Sequence, residues 1–255
     1  MDTSLENKTV LVTGASAGFG KACAERFARA GARLVLAGRR ADRLEAVRAG
    51  LGVPAMAAVL DVRDRAAVER FVAGLPPEFA EVEVLVNNAG LALGLEPAQA
   101  ASLDDWEQML DTNCRGSMVL ARALLPGMVA RGHGHVVNIG SVAASYPYPG
   151  GNVYGATKAF LHQFSQNLKA DLAGTGVRVT VIEPGMAETE FSVVRMKGDV
   201  EKAKAVYAGM QPLSAEDIAE AVFWCTTRPA HVNVNVLELM PQAQGFGPFT
   251  VKRKG

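Results

Sequence analysis

The sequence predicts an α/β fold of the doubly wound type: one parallel sheet of seven strands, in the order 3-2-1-4-5-6-7, with helices on both faces. Three observations carry this. Short apolar runs alternate seven times with helix-like segments along 255 residues, the pattern of strands joined by crossover helices. The runs are apolar throughout rather than at every second position, as expected of strands covered on both faces. A glycine-rich turn follows the first run and opens the first helix. Right-handed crossovers then set the winding, and a ligand is expected beyond the carboxyl ends of the strands where their order reverses.

The elements follow in order. Residues 9–13 (TVLVT) are rich in β-branched side chains and read as the first strand. After the glycine turn, residues 21–30 continue as a helix with Cys23, Phe27 and Ala30 at helical spacing, stopped by Gly31. Residues 33–37 give a second strand, 41–51 a polar-faced helix and 55–62 a third strand. Asp64 caps a helix that ends where Pro76-Pro77 breaks it. Residues 82–86 are the fourth strand. Ser102-Leu103-Asp104-Asp105 has the form of a capping box and opens a long helical region. Residues 135–139 are the fifth strand, 154–173 a long helix and 177–182 the sixth strand. A second capping box, Ser214-Ala215-Glu216-Asp217, starts a helix ending near Pro229, and residues 233–239 are the seventh strand. No linker or repeat interrupts the pattern, so residues 1–255 read as one domain, with a lid-like segment at about 186–210.

Composition narrows the function. Hydrophobic residues are 49% and charged residues 20%, enough to build a large core. Lys plus Arg equals Asp plus Glu at 26 each, so no global field draws nucleic acid or an anionic membrane. Cys23, Cys114 and Cys225 are dispersed and form no CxxC pair, as reduced thiols of a cytoplasmic protein would be. Met1 to Lys8 carry no apolar signal region, and no apolar run has the length of a membrane span.

The turn after the first strand is Gly14-Ala15-Ser16-Ala17-Gly18-Phe19-Gly20. Glycine permits the tight turn and a close backbone approach, and the helix start presents N–H groups to a pyrophosphate. The second strand leads into Gly38-Arg39-Arg40. A site for a bare ribose places an acid near this point. Here two guanidinium groups stand where the 2′-phosphate of NADP(H) would sit. In Tyr154-Gly155-Ala156-Thr157-Lys158 the four-residue spacing puts Tyr154 and Lys158 on one helical face. A cationic neighbour is expected to lower the tyrosine's pKa and make it usable for proton transfer. Ser141 ends the fifth strand, where it could bond a substrate carbonyl. Asn113 lies inside the long fourth helix, a locally unfavourable place for asparagine and thus a functional candidate.

With these residues in place the chain resembles the short-chain dehydrogenase/reductase family over its whole length. It carries TGxxxGxG at residues 13–20, NNAG as Asn87-Asn88-Ala89-Gly90, then Asn113, Ser141, the Tyr154/Lys158 pair, and Pro184-Gly185 after the sixth strand. The resemblance implies a Rossmann-type oxidoreductase with Tyr154 as proton donor or acceptor and Ser141 orienting the carbonyl. Lys158 would bind the nicotinamide ribose and Asn113 would hold a water in a proton relay. Gly14, Ser16, Gly18, Phe19, Gly20, Arg39, Arg40, Asp61, Val62, Asn88, Ala89, Gly90, Pro184, Gly185 and Thr189 would line the cofactor cleft, Asp61 and Val62 beside the adenine. A narrower resemblance, at residues 18–20, 91–94, 147–154, 190–198 and 235–241, is to the bacterial NADP-dependent 3-hydroxy acid dehydrogenases, which include serine 3-dehydrogenases and malonic semialdehyde reductases. The family resemblance implies a homotetramer built through the long helix (with Phe160, Leu161, Phe164 and Leu168) and the last strand.

Other patterns fit less well. His133 and His135 lack the acid or thiol neighbours of a metal site, and no Gly-x-Ser-x-Gly elbow surrounds Ser141. Trp106 and Trp224 fit helical core or interface positions, and His162 a packing role. A reductase of bulkier aldehydes or ketones remains an alternative. A non-enzymatic NADP(H) sensor would not need Asn113, Ser141, Tyr154 and Lys158 together. A 3-hydroxy acid also needs a local cation. Within the lid segment, between the possible hinges Gly185 and Gly198, Arg195 and Lys197 are the basic residues, and Arg195, with its planar fork, is the better candidate, against the plainer reading that it pairs with Glu190 or Asp199.

Overall fold

The computed structural model describes residues 5–247; the start of the N-terminal segment and the end of the C-terminal tail lie outside the described residues. Seven strands form one parallel sheet in the order β3-β2-β1-β4-β5-β6-β7. They are β1 (Thr9–Thr13), β2 (Arg33–Gly38), β3 (Ala55–Val59), β4 (Val82–Asn87), β5 (Gly134–Ile139), β6 (Val177–Pro184) and β7 (Val236–Leu239). The helices are α1 (Gly18–Ala28), α2 (Ala41–Gly50), α3 (Arg65–Ala73), α4 (Pro77–Ala80), α5 (Leu103–Met109), α6 (Ser117–Arg131), α7 (Asn152–Asp171), α8 (Glu190–Arg195), α9 (Val200–Ala205) and α10 (Ala215–Thr226). No helix among the described residues is long and apolar enough to cross a membrane.

The central strands divide their side chains between two cores, which is why they read as largely apolar runs. Val10 and Val12 of β1 face a layer with Phe27 of α1 and Ile218 and Phe223 of α10. Leu11, between them, faces the opposite layer with Leu120 and Met128 of α6 and Val136 of β5. The rings of Phe27 and Phe223 meet edge to face at 5.8 Å. Each such large side chain, fully buried, stabilises the fold by about 1.5–3 kcal/mol relative to exposure. A third, smaller cluster of Leu91, Met109, Ala143 and Tyr154 lies beyond the strand ends.

Three elements differ from the sequence expectation. The long fourth helix is interrupted by a π-helical stretch, Leu110–Gly116, that contains Asn113. The third strand stops at Val59, because Asp61 turns to accept from the backbone N–H and side chain of Arg63. The seventh starts at Val236: Asn233 instead pairs through its side chain, accepting from Val179 N (2.9 Å) and donating to Val179 O (2.8 Å). Of the two capping patterns, Ser214 and Asp217 make the reciprocal box. Ser102 caps α5 by accepting from Asp105 N at 3.3 Å.

Candidate active site

The carboxyl ends of β1, β4, β5 and β6 open onto one cavity of about 810 Å³. The turn after β1 forms its floor. Gly14 and Gly18 have φ of 65° and 51°, a region that a side chain would strain. A Cβ on Gly20 would overlap the Gly14 carbonyl oxygen and stand 2.6 Å from Asn88 Nδ2. Gly20 therefore serves the packing of the turn, while Gly14, Ser16, Gly18 and Phe19 line the cavity. Thr13 locks this turn to the NNAG segment. Its hydroxyl oxygen accepts from the backbone N–H of Asn88 (3.0 Å) and Ala89 (2.9 Å), and Asn88 Nδ2 donates to Thr13 O at 2.8 Å. Asn88, Ala89 and Gly90 are thereby held against the cavity. The N-cap of α1 is Ala17, which offers no side-chain cap. The first N–H groups of α1 therefore have no side-chain acceptor at the N-cap.

Beyond β2, Arg39, Arg40, Asp61 and Val62 line the same cavity. Arg40 donates through Nε (3.1 Å) and Nη2 (2.9 Å) to Ser16 Oγ, tying the arginine turn to the glycine turn. Its Nη1 pairs with Glu190 at 3.0 Å, and Arg43 reaches the same carboxylate at 2.8 Å. Arg43 does not stand out in the sequence, although it lies one helical turn from Arg40, and Glu190 meets these arginines rather than Arg195. Arg63 holds the Asp61 carboxyl below its usual range.

Tyr154 and Lys158 are both buried, on the face of α7 that meets the end of β5. Ser141 Oγ accepts from Ala143 N at 3.1 Å and donates to Pro184 O at 3.4 Å, and it lies near enough to the Tyr154 phenol to lower its pKa. Lys158 Nζ donates to Ile139 O at 2.8 Å and lies 5.7 Å from the Tyr154 ring centroid. Here the sequence expectation is corrected. Burial pushes the Tyr154 phenol up to about 12, against the smaller lowering effects of the Ser141 bond and the Arg195 charge. Burial also brings Lys158 down to about 8, against the raising pull of Cys114 and Glu183.

Asn113 does not line the cavity. Its Oδ1 accepts from Leu91 N (2.9 Å), and its Nδ2 donates to Leu91 O (2.8 Å) and Thr157 Oγ1 (3.0 Å). The π-helical stretch carries this amide, which clamps the segment after Gly90 to α7; such stretches are common at functional sites. His162, one turn beyond Lys158, does more than pack: its Nδ1 meets the buried carboxylate of Glu183 at 2.8 Å. His133 and His135 pair separately, with Glu83 and Thr180. Among the described residues no group of three or more His, Cys, Asp or Glu side chains could hold a metal.

The segment after β6 forms the roof. Pro184, Gly185 and Thr189 line the cavity. Thr189 caps α8 by accepting from Phe191 N at 3.2 Å, and its side chain lies over Gly18. The Phe191 ring sits 5.7 Å from that of Tyr154. Arg195 is paired with neither acid named above: Glu190 is held by Arg40 and Arg43, and Asp199 by Lys202. Arg195 Nη2 instead donates to Tyr148 Oη at 2.6 Å, its guanidinium carbon lies 5.4 Å from the Tyr154 ring centroid, and its buried Nε has no partner among the described residues. Tyr148 gives no sign of this role in the sequence.

Comparison with known proteins agrees with this geometry. Residues 8–199 match the family model described as short chain dehydrogenase. The NADP-dependent 3-hydroxy acid dehydrogenase YdfG of Salmonella typhi is 57% identical over 245 residues, covering 96% of this chain and 99% of that one. The serine 3-dehydrogenase of Rhizobium radiobacter is 50% identical over 246 residues, covering 96% and 98%. A solved closed form of serine dehydrogenase complexed with NADP+ superposes with a TM-score of 0.95 at 55% identity, covering 96% of this chain and all of that one. A glycine turn at an uncapped helix start, a Ser-Tyr-Lys group at the end of β5 and full-length likeness of sequence and structure lead to one conclusion: the chain belongs to the short-chain dehydrogenase family.

Proposed function

We propose that this protein is an NADP(H)-dependent oxidoreductase that moves a hydride between the nicotinamide and a small 3-hydroxy acid, of the serine or 3-hydroxypropanoate/malonic semialdehyde type. Relatives named for this activity support it. Arg195 carries the substrate part of the reading. It is a cation at the roof of the cavity, with an unpartnered buried N–H and no acidic partner among the described residues, beside the Tyr154 ring. A substrate carboxylate would supply the missing acceptor.

The residues present fit the dinucleotide. A side chain at Gly14 or Gly20 would clash and one at Gly18 would be strained by its positive φ, and the uncapped start of α1 suits a pyrophosphate. Gly14, Ser16, Gly18 and Phe19 would hold the pyrophosphate, with Gly20 shaping the turn behind them, Arg39 and Arg40 the 2′-phosphate, and Asp61 and Val62 the adenine. Asn88, Ala89, Gly90, Lys158, Pro184, Gly185 and Thr189 would hold the nicotinamide half. When bound, the cofactor supplies or takes up the hydride.

The chain's own residues handle the proton. The Ser141 hydroxyl would donate to the substrate oxygen and fix its position. The buried phenol of Tyr154 stays protonated at neutral pH, so it would donate to a carbonyl oxygen during reduction. In the reverse direction it must first give up its proton, which alkaline solution favours. Asn113 positions this group by joining Leu91 to Thr157 of α7. Residues 186–210 act as a lid whose Phe191 and Arg195 close over Tyr154 and exclude water.

The assembly we propose is a homotetramer formed through α7 and β7. Phe160 is exposed on α7 and stacks on Phe164 at 5.5 Å, whereas Leu161 is buried in the protomer. We place the protein in the cytoplasm, where its three free thiols stay reduced. The functional test is turnover followed by NADPH absorbance. Malonic semialdehyde should be reduced with NADPH and poorly with NADH. Preference for a neutral aldehyde or ketone of larger size would replace the substrate assignment.

A further inference from the structure

We propose that Glu190 is a specificity-determining residue of the cofactor site: its carboxylate occupies the guanidinium groups meant for the 2′-phosphate and ties the lid to them until that phosphate displaces it. The inference rests on the NADP(H) reading above and concerns a residue which that reading does not use.

Glu190 is the first residue of α8, in the lid, and sits about 150 positions along the chain from the arginines it meets. Its two oxygens are shared between Arg40 Nη1 (3.0 Å) and Arg43 Nη1 (2.8 and 3.0 Å). Arg40 in turn holds Ser16 of the glycine turn. A continuous chain of hydrogen bonds therefore runs from the floor of the cavity, through Arg40, to the roof. Thr189 beside it rests over Gly18, so the lid crosses the cavity at this point.

The chemistry of the partners makes the contact a competition. A carboxylate and a phosphate monoester both present oxygens that a guanidinium fork grips in pairs. Arg39, Arg40 and Arg43 bring three positive charges to this corner. The neighbouring acid Asp61 is engaged by Arg63 through Nε at 3.0 Å and Nη2 at 2.6 Å. Glu190 is left as the acid that pairs with Arg40 and Arg43 among the described residues. A 2′-phosphate would need the same donors, and the Glu190 carboxylate beside it would repel it. The phosphate binds free of that like charge once Glu190 swings away. All three paired side chains are about half exposed, so the pairs are weak and exchange readily with solvent. That is the property a displaceable latch needs. A ligand lacking the 2′-phosphate leaves Glu190 in place.

The test compares Glu190→Gln with the wild-type protein by calorimetry, using adenosine 2′,5′-bisphosphate and adenosine 5′-monophosphate as probes, with no turnover involved. The substitution keeps size and removes the charge. The variant should bind the 2′,5′-bisphosphate about fivefold more tightly, the scale of a lost exposed charge contact, with 5′-monophosphate affinity unchanged. Hydrogen exchange adds a second readout: amides of residues 190–205 should exchange faster in wild type on adding the bisphosphate and not the monophosphate, and the variant should show the faster rate without ligand. Unchanged or weaker bisphosphate binding by the variant would overturn the proposal, as would lid exchange that ignores the 2′-phosphate. If wild type itself does not prefer the bisphosphate, the cofactor reading fails instead.

Discussion

Replacing Arg195 by alanine removes the cation proposed to hold the substrate's acid end. In the protein its guanidinium makes one bond, to Tyr148 Oη at 2.6 Å, and leaves Nε buried and unpartnered among the described residues. Hydrogen bonds to a charged group contribute about 1.5–3 kcal/mol each. Loss of one such contact should lower kcat/KM for malonic semialdehyde or serine by about 10- to 150-fold. The substitution has a second effect, because Arg195 also lowers the pKa of Tyr154 and packs on its ring. That effect reaches every substrate alike. The decisive quantity is thus a ratio: kcat/KM for the acid divided by that for a neutral aldehyde or alcohol of the same size, in wild type and variant. The ratio should fall at least about tenfold, mostly through KM for the acid. A ratio that stays constant would refute the carboxylate anchor, whatever the absolute loss.

Replacing Arg39 and Arg40 together by alanine should weaken NADPH binding at least about tenfold, since each loses a charge-assisted contact, and leave NADH binding within about twofold; equal losses for both cofactors would count against the 2′-phosphate assignment. Gly20→Ala should lower the melting temperature by several degrees, because its methyl group meets the Gly14 carbonyl and Asn88 at an overpacking cost of about 1–3 kcal/mol. A wild-type melting curve would mean that the turn relaxes freely. The three thiols should resist a thiol reagent at pH 8 until the chain unfolds. Burial pushes Cys23 up to about 12 and Cys114 and Cys225 to about 11, and the reactive thiolate is present only as pH approaches those values. Rapid labelling of the native protein would contradict the burial.

The strand order is readable from sequence because the central strands are covered on both faces, and a largely apolar run such as residues 33–37 has few other homes. The glycine turn and the Tyr154/Lys158 pair are readable because local spacing alone brings those residues together. What escapes depends on contacts across the chain. Glu190 meets Arg40 and Arg43 from another element, and Tyr148 meets Arg195 only once the segment after β6 is folded. The π-helical stretch at Asn113 answers to Leu91, far away in sequence. Asn233 shortens the last strand by substituting its amide for a backbone pair. The pKa of Tyr154 is misread from sequence because helical spacing reports the nearby lysine, whereas the dominant effect is burial by Ala143, Phe191 and the lid.

The most direct test of the account is turnover by Tyr154→Phe, measured beside cofactor affinity in the same preparation. The ring and its packing on Phe191 remain, and only the phenolic hydroxyl is lost. NADPH affinity should stay within about twofold, while kcat falls by at least ~100-fold, the usual contribution of a positioned proton donor. Turnover close to that of the wild-type protein, with cofactor still bound, would contradict the assignment of the proton chemistry to Tyr154.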